Sequence, residues 1–348
     1  MEKSAGPIIS ENAAPAMSTP DRRGVFTISL DFELHWGVRD GRSLASYREN
    51  LLKVHDVVPR LLALFEQYEV HCTWATVGFL FFDSVDDLKR SLPARRPAYV
   101  NGALDPYRAL DTIGPTADGD PLHFAPRLIR AIQATPHQEV GTHTFSHYYC
   151  LEPGQTLDTF RDDLQAAIDV ARRTGIELTS LVFPRNQFND RYLDVLAELG
   201  LTAYRGNARS WLYAARTQGE ETLLRRGCRL LDNYVRVSGF QVHRPADLNG
   251  GGLVDIPASR FLRPYQPTLA AFEPLRLRRI RDELTHAART GGLYHLWWHP
   301  HNFGSHTEEN FAFLRRVLDH YTALRARDGM ISLNMGELAR DVTAGRVR

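Results

Sequence analysis

Four short stretches of the 348-residue chain carry residue types able to do hydrolytic chemistry: SLDFE (29–33), HTFSH (143–147), FPRNQ (183–187) and LWWHPHN (296–302). The first holds two carboxylates, Asp31 and Glu33, one residue apart. In extended backbone such residues point the same way, so both acids can face one pocket. The second holds His143 and His147, which share one face if the segment is helical. Two imidazoles and a carboxylate make a catalytic zinc set that leaves one coordination position for water. Such a centre needs one acid as ligand, and hydrolysis needs another as base. Arg185, in the third stretch, would keep a buried aspartate ionised and oriented. His299, in the fourth, follows Leu296-Trp297-Trp298, an apolar approach that does not suit a purely exposed histidine.

Each group also has a plainer reading: solvated acids, a surface histidine pair, a surface arginine, a satisfied core histidine. Their position along the chain decides between the two. The sequence alternates short apolar strands with amphipathic helices. Strands are expected at Val25–Leu30, Glu139–Thr142, Leu178–Phe183, Thr202–Arg205, Gly292–Trp298 and Met330–Asn334, with a β-rich run at His71–Phe82. Helical spacing of apolar residues marks Tyr47–Tyr68, Thr156–Thr174, Arg191–Leu199, Pro274–Arg289 and Glu308–Arg327. Further pieces are expected at Leu223–Val237 and Leu253–Pro257. Repeated strand–helix units imply a parallel sheet, and parallel sheets gather ligands at the strands' C-terminal ends. In all four stretches the ionisable residues come directly after a strand.

The composition is that of an ordinary globular protein, with 43% hydrophobic and 24% charged residues. A net charge of +1 gives no electrostatic reason to expect a nucleic-acid partner. The three cysteines are scattered, which suits a reducing compartment. No apolar run reaches the roughly 20 residues that span a bilayer, so no integral membrane segment is expected. Residues 1–23 read as a disordered tail without a signal-peptide core, which points to a cytoplasmic location. Residues 24–348 are expected to form one domain, with an irregular insertion at about 83–137 ending in a short helix near Pro126–Ala134.

In order and spacing the four stretches resemble the motifs of the polysaccharide deacetylase superfamily, the metal-dependent carbohydrate esterases of family four and their relatives. VVPRLLALFEQYEVHCTWATVGFL and LDVLAELGLTAYRGN resemble that family's first helix–strand unit and a later one. The resemblance implies a distorted, partly open (β/α)7 barrel. It assigns Asp31 as general base, paired with Arg185, and Glu33, His143 and His147 as ligands of one divalent ion, most often zinc. His299 becomes the general acid. The glutamate stands one residue later than in the commonest pattern, so the tasks of Asp31 and Glu33 are interchangeable at this level. FPRNQ also departs from the usual third motif, leaving a backbone N–H near Asn186 or Gln187 as the expected oxyanion donor. Trp36, Trp298 and His301, with Trp297 and Phe303 nearby, are expected to line the substrate pocket. The implied activity is removal of an N-acyl group, N-acetyl above all, from a sugar. A nucleotide- or lipid-linked precursor of a bacterial surface polysaccharide suits the expected location. A small non-sugar amide is an alternative substrate, and a non-catalytic carbohydrate-binding protein on the same scaffold is an alternative of another class.

Overall fold

The computed structural model describes residues 23–209, 223–248 and 252–347. The expected N-terminal tail, apart from Arg23, lies outside the described residues. Among the described residues there are nine strands: β1 (Val25–Phe32), β2 (Cys72–Thr76), β3 (Gln138–Thr142), β4 (Ser180–Val182), β5 (Ala203–Arg205), β6 (Val254–Asp255), β7 (Arg260–Phe261), β8 (Leu293–Trp298) and β9 (Ile331–Ser332). The order across the sheet is β6-β5-β4-β3-β2-β1-β8-β7, every pairing is parallel, and β9 joins the beginning of β1. The chain between β6 and β7 crosses from one edge to the other. The Ala258 N–H donates to the Gly206 carbonyl and the Ser259 N–H to the His295 carbonyl, each at 2.9 Å. The two short strands thus act as halves of one bent strand, and the sheet curls into a distorted (β/α) barrel.

β1 lies between β2 and β8, so all its residues are buried, Asp31 included. The expected helix Tyr47–Tyr68 is two helices, Leu44–Leu52 and Val54–Tyr68, separated at Lys53. Val54, Val57, Val58, Leu61, Leu62 and Phe65 of the second form its buried stripe. The expected β-rich run to Phe82 stops at Thr76 and turns into the 3-10 segment Gly78–Phe81. That turn lies against HTFSH: a Cβ on Gly78 would come within 2.8 Å of the Phe145 Cα. The Gly78 and Phe79 N–H groups donate to the Thr144 and Phe145 carbonyls.

Helix Met335–Thr343, capped by Asn334 and Glu337, extends beyond the last element expected from sequence. Its Met335, Leu338 and Ala339 join Val25, Ala75, Val182, Ala203 and Val254 in a second apolar cluster. The helix thereby closes the end of the barrel at which the strands begin, leaving the other end for chemistry. Among the described residues, no helix is long and apolar enough to cross a membrane.

Candidate metal and hydrolytic site

Glu33, His143 and His147 meet at the C-terminal end of the barrel. Their ligand atoms lie within 4.8 Å of one another, and all three residues are buried. Glu33 Oε2 is 3.4 Å from His143 Nε2 and 3.2 Å from His147 Nε2. The histidines do not form a helical turn, as the i,i+4 spacing suggests. They sit on a loop in which Thr144 and His147 adopt left-handed backbone, with φ of 63° and 59°. Two such reversals fold the loop back on itself, so the imidazoles converge by loop geometry.

The donor set fits a divalent cation. The Val182 carbonyl can only accept, so at 2.8 Å it takes the Nδ1 proton of His143 and turns Nε2 towards the carboxylate. Burial lowers the His147 pKa to about 4, so that imidazole is neutral near pH 7, and its Nδ1 is a buried atom without a hydrogen-bond partner. Burial opposes ionisation of Glu33, yet its imidazole neighbours, His299 first, hold the carboxyl well below its ordinary range. Two imidazoles turned towards one buried carboxylate are the donor set of a divalent ion with an open coordination position.

The turn that carries Glu33 is held from the insertion. The His35 N–H donates to the Leu122 carbonyl at 3.2 Å, and the Trp36 indole donates to the His123 carbonyl at 2.8 Å. His35 and His123 rings meet at 2.9 Å, and His123 Nδ1 donates to Asp120 at 2.8 Å.

Asp31 stands beside this centre in a different partnership. Arg205, at the end of β5, grips both its oxygens, at 2.6 and 2.8 Å, and also donates to Ser29 Oγ and Asn186 Oδ1 at 3.0 Å. Burial would raise the Asp31 pKa, but the Arg205 guanidinium outweighs it and holds the carboxyl below its ordinary value. The expected Asp31–Arg185 pair is therefore corrected. Arg185 has left-handed backbone, φ 56°, and its guanidinium bonds Asp40 instead. Arg205 was legible by the same rule as the others, being a charge at the end of the expected strand Thr202–Arg205.

His299 closes the set. Its Nε2 lies 3.7 Å from Asp31 Oδ2 and 3.5 Å from Glu33 Oε1, while Nδ1 faces Asn302 Oδ1 at 3.3 Å. His301 stacks on it, ring centroids 4.9 Å apart, and burial lowers the His301 pKa to about 3, so it backs His299 as a neutral ring.

Four expected pocket residues lie elsewhere or do other work. Trp36 and Trp298 are fully buried. Trp36 packs edge-on to Phe79, and Trp298 stacks on Phe303, itself buried. Register explains Trp298: it pairs with Leu30, on the outer face of β1, whereas Trp297 pairs with Ser29, on the face shared with Asp31. Trp297 is half-buried, under Arg205 at 4.2 Å, with His299 and Phe261 at 5.7 and 4.8 Å. The Asn186 and Gln187 N–H groups are spent on the Phe183 and Pro184 carbonyls, so neither is the expected oxyanion donor. The buried Gln187 side chain binds Leu151 N and Glu152, while Asn186 braces Arg205.

Asp163, not singled out from sequence, holds the HTFSH loop from helix Leu157–Arg173. It accepts from the Phe145 N–H at 2.8 Å and from the Ser146 hydroxyl. Burial pushes its carboxyl up to about 6. Between about pH 4 and pH 6 the folded chain therefore keeps a proton that the unfolded chain releases, and unfolding free energy falls as pH rises. Denaturant titrations across this window should show that slope in the wild type and its loss in Asp163→Asn. Equal slopes would contradict the assignment.

Residues 46–204 match the family model described as polysaccharide deacetylase. No curated protein matches the chain. Among solved structures, a Mycobacterium smegmatis protein provisionally designated a polysaccharide deacetylase superposes with a TM-score of 0.59 at 18% identity, covering 97% of this chain and 96% of its own. A Pseudomonas aeruginosa PAO1 protein with a similar provisional designation gives 0.54 at 13% identity, covering 94% of each chain.

Proposed function

We propose that this chain, whose residues 46–204 match the polysaccharide deacetylase family model, is a metal-dependent N-deacetylase acting on an amino sugar. The observation that carries the proposal is the division of the two acids: Glu33 faces two imidazoles, and Asp31 is held by an arginine. Glu33, His143 and His147 would hold the ion, proposed to be zinc. A divalent ion bound there supplies Lewis acidity for the amide carbonyl and lowers the pKa of water. Asp31, kept ionised by Arg205, accepts the proton of the attacking water. His299, within 4 Å of both acids through Nε2, delivers a proton to the departing nitrogen, which is too basic to leave as an anion. Trp297 and Phe261 offer aromatic surface beside His299 for the sugar ring.

The proposed substrate is a nucleotide- or lipid-linked precursor of a surface polysaccharide, handled in the cytoplasm. Arg39 and Arg185 both lie over the Tyr149 ring, at 5.5 and 5.7 Å, and that ring is 5.2 Å from His147. Arg185 is paired with Asp40, so Arg39 leaves this rim one net positive charge, which suits a phosphate-bearing carrier. Purified protein should release acetate from N-acetylated sugars, faster from nucleotide-linked than from free ones. Chelation should stop release and added zinc restore it. In Asp31→Ala and His143→Ala hydrolysis should vanish with the fold retained; acetate release by Asp31→Ala at the wild-type rate would sink the proposal.

A further inference from the structure

The opposite end of the barrel gathers a second set of ligand-type side chains. His71 precedes β2 and His137 precedes β3, and the first residues of these strands, Cys72 and Gln138, are register partners. The two imidazoles stack with centroids 4.0 Å apart and planes 7° from parallel. Glu337, from the first turn of the helix that closes this end, completes the group. The ligand atoms of the three lie within 4.8 Å of one another. Each residue is fixed from behind. Ser332 Oγ accepts from the His71 N–H at 3.0 Å, Asn334 Nδ2 donates to the His137 carbonyl at 3.3 Å, and the Asn334 N–H donates to Glu337 Oε2 at 3.0 Å. His137 has left-handed backbone, φ 65°, which costs a residue with a Cβ about 1–2 kcal/mol. Such a conformation persists only where the surrounding structure imposes it.

We propose that His71, His137 and Glu337 form a second binding site for a first-row divalent transition-metal ion, separate from the hydrolytic centre. Two imidazoles with one carboxylate select zinc, nickel or copper over magnesium and calcium, which prefer oxygen ligands. Without metal, a proton lies between His71 Nδ1 and Glu337 Oε2, which are 2.5 Å apart. The ion takes that proton's place and the proton leaves to solvent, so binding tightens as pH rises. His137 is exposed, so its ring can turn out of the stack to bring a nitrogen to metal-bonding distance, about 2.0–2.1 Å. The bound ion ties the beginnings of β2 and β3 to the last helix and acts as a staple on the fold, without a part in hydrolysis.

The test is zinc titration of the metal-stripped full-length chain by calorimetry, with thermal unfolding in parallel. His137→Asn removes the ligand but keeps a residue that tolerates left-handed backbone. Glu337→Gln removes the anionic ligand and keeps an acceptor for the helix cap. Both variants should bind one zinc equivalent fewer than the wild type. In a His143→Ala background, zinc should raise the unfolding temperature, and adding His137→Asn should abolish that rise. If the hydrolytic centre itself takes no zinc, the wild type binds one equivalent and His137→Asn none, and the staple stands. Equal stoichiometry in wild type, His137→Asn and Glu337→Gln would overturn it and leave His71–Glu337 as an ion-pair clasp.

Discussion

Gly37→Ala should strip the hydrolytic centre of its metal and its activity while the chain still folds. A Cβ on Gly37 would fall 1.9 Å from Glu33 Cδ and 2.1 Å from Oε2, so the carboxylate occupies the place of that methyl group. Gly37 is absent from the positive-φ glycines, so alanine is not opposed by the backbone and the conflict is one of space alone. Glu33 cannot retreat easily, since it is buried and faces His143, His147 and His299. Overpacking of this kind costs about 1–3 kcal/mol of stability. A displacement near 1 Å in a reacting constellation costs about 100-fold in rate. Metal content by elemental analysis and acetate release should therefore both collapse, with the thermal transition still cooperative. Gly41→Ala is the control: it is exposed, and its nearest contact would be Arg185 at 3.8 Å, so binding and rate should hold. Full metal occupancy in Gly37→Ala would remove Glu33 from the ligand set.

Much of this centre was legible in the sequence because parallel strands bring their C-terminal ends together whatever the path between them. Asp31, Glu33, His143, His147 and His299 each follow a strand, and period-two alternation suffices to aim both acids inward. What the sequence left open depends on contacts across the barrel or on backbone reversals. The sequence reading pairs Asp31 with Arg185, although Arg205 also ends an expected strand, and local pattern does not rank the two. The choice is made by sheet curvature, which carries β5 opposite β1, and by the left-handed backbone of Arg185, whose guanidinium is taken by Asp40. HTFSH likewise reads as a helical pair, and only the reversals at Thr144 and His147 make it a loop. The Trp297–Trp298 question was solvable in advance. Trp297 has the parity of His295 on β8 and of His299 just beyond it, so it faces the same interior and its neighbour Trp298 faces the helices.

Arg205 carries the second large expectation, and its contrast with Arg185 separates the two assignments. The Arg205 side chain is fully buried and makes four polar contacts, two of them to Asp31. Arg205→Met strands a buried carboxylate, and breaking a buried pair on one side costs about 3–5 kcal/mol. Part of that cost is avoided if Asp31 takes up a proton, because burial, now unopposed by the guanidinium, raises its pKa. A protonated Asp31 accepts no proton from water. The rate near neutral pH should fall by about 10²–10⁴, the usual contribution of a general base, and the acidic limb of the rate profile should move to higher pH. Arg205→Lys should restore little, because one ammonium replaces neither the two-point grip nor the contact with Trp297. Arg185→Met strands the buried Asp40 carboxylate, which keeps only the Tyr149 hydroxyl, so it costs stability on the order of 3 kcal/mol, but it leaves Asp31 untouched and the kcat of the folded protein should stay within about fivefold of the wild type. The reverse ranking, with Arg185→Met crippled and Arg205→Met active, would return the base-orienting role to the arginine of FPRNQ and take it from β5.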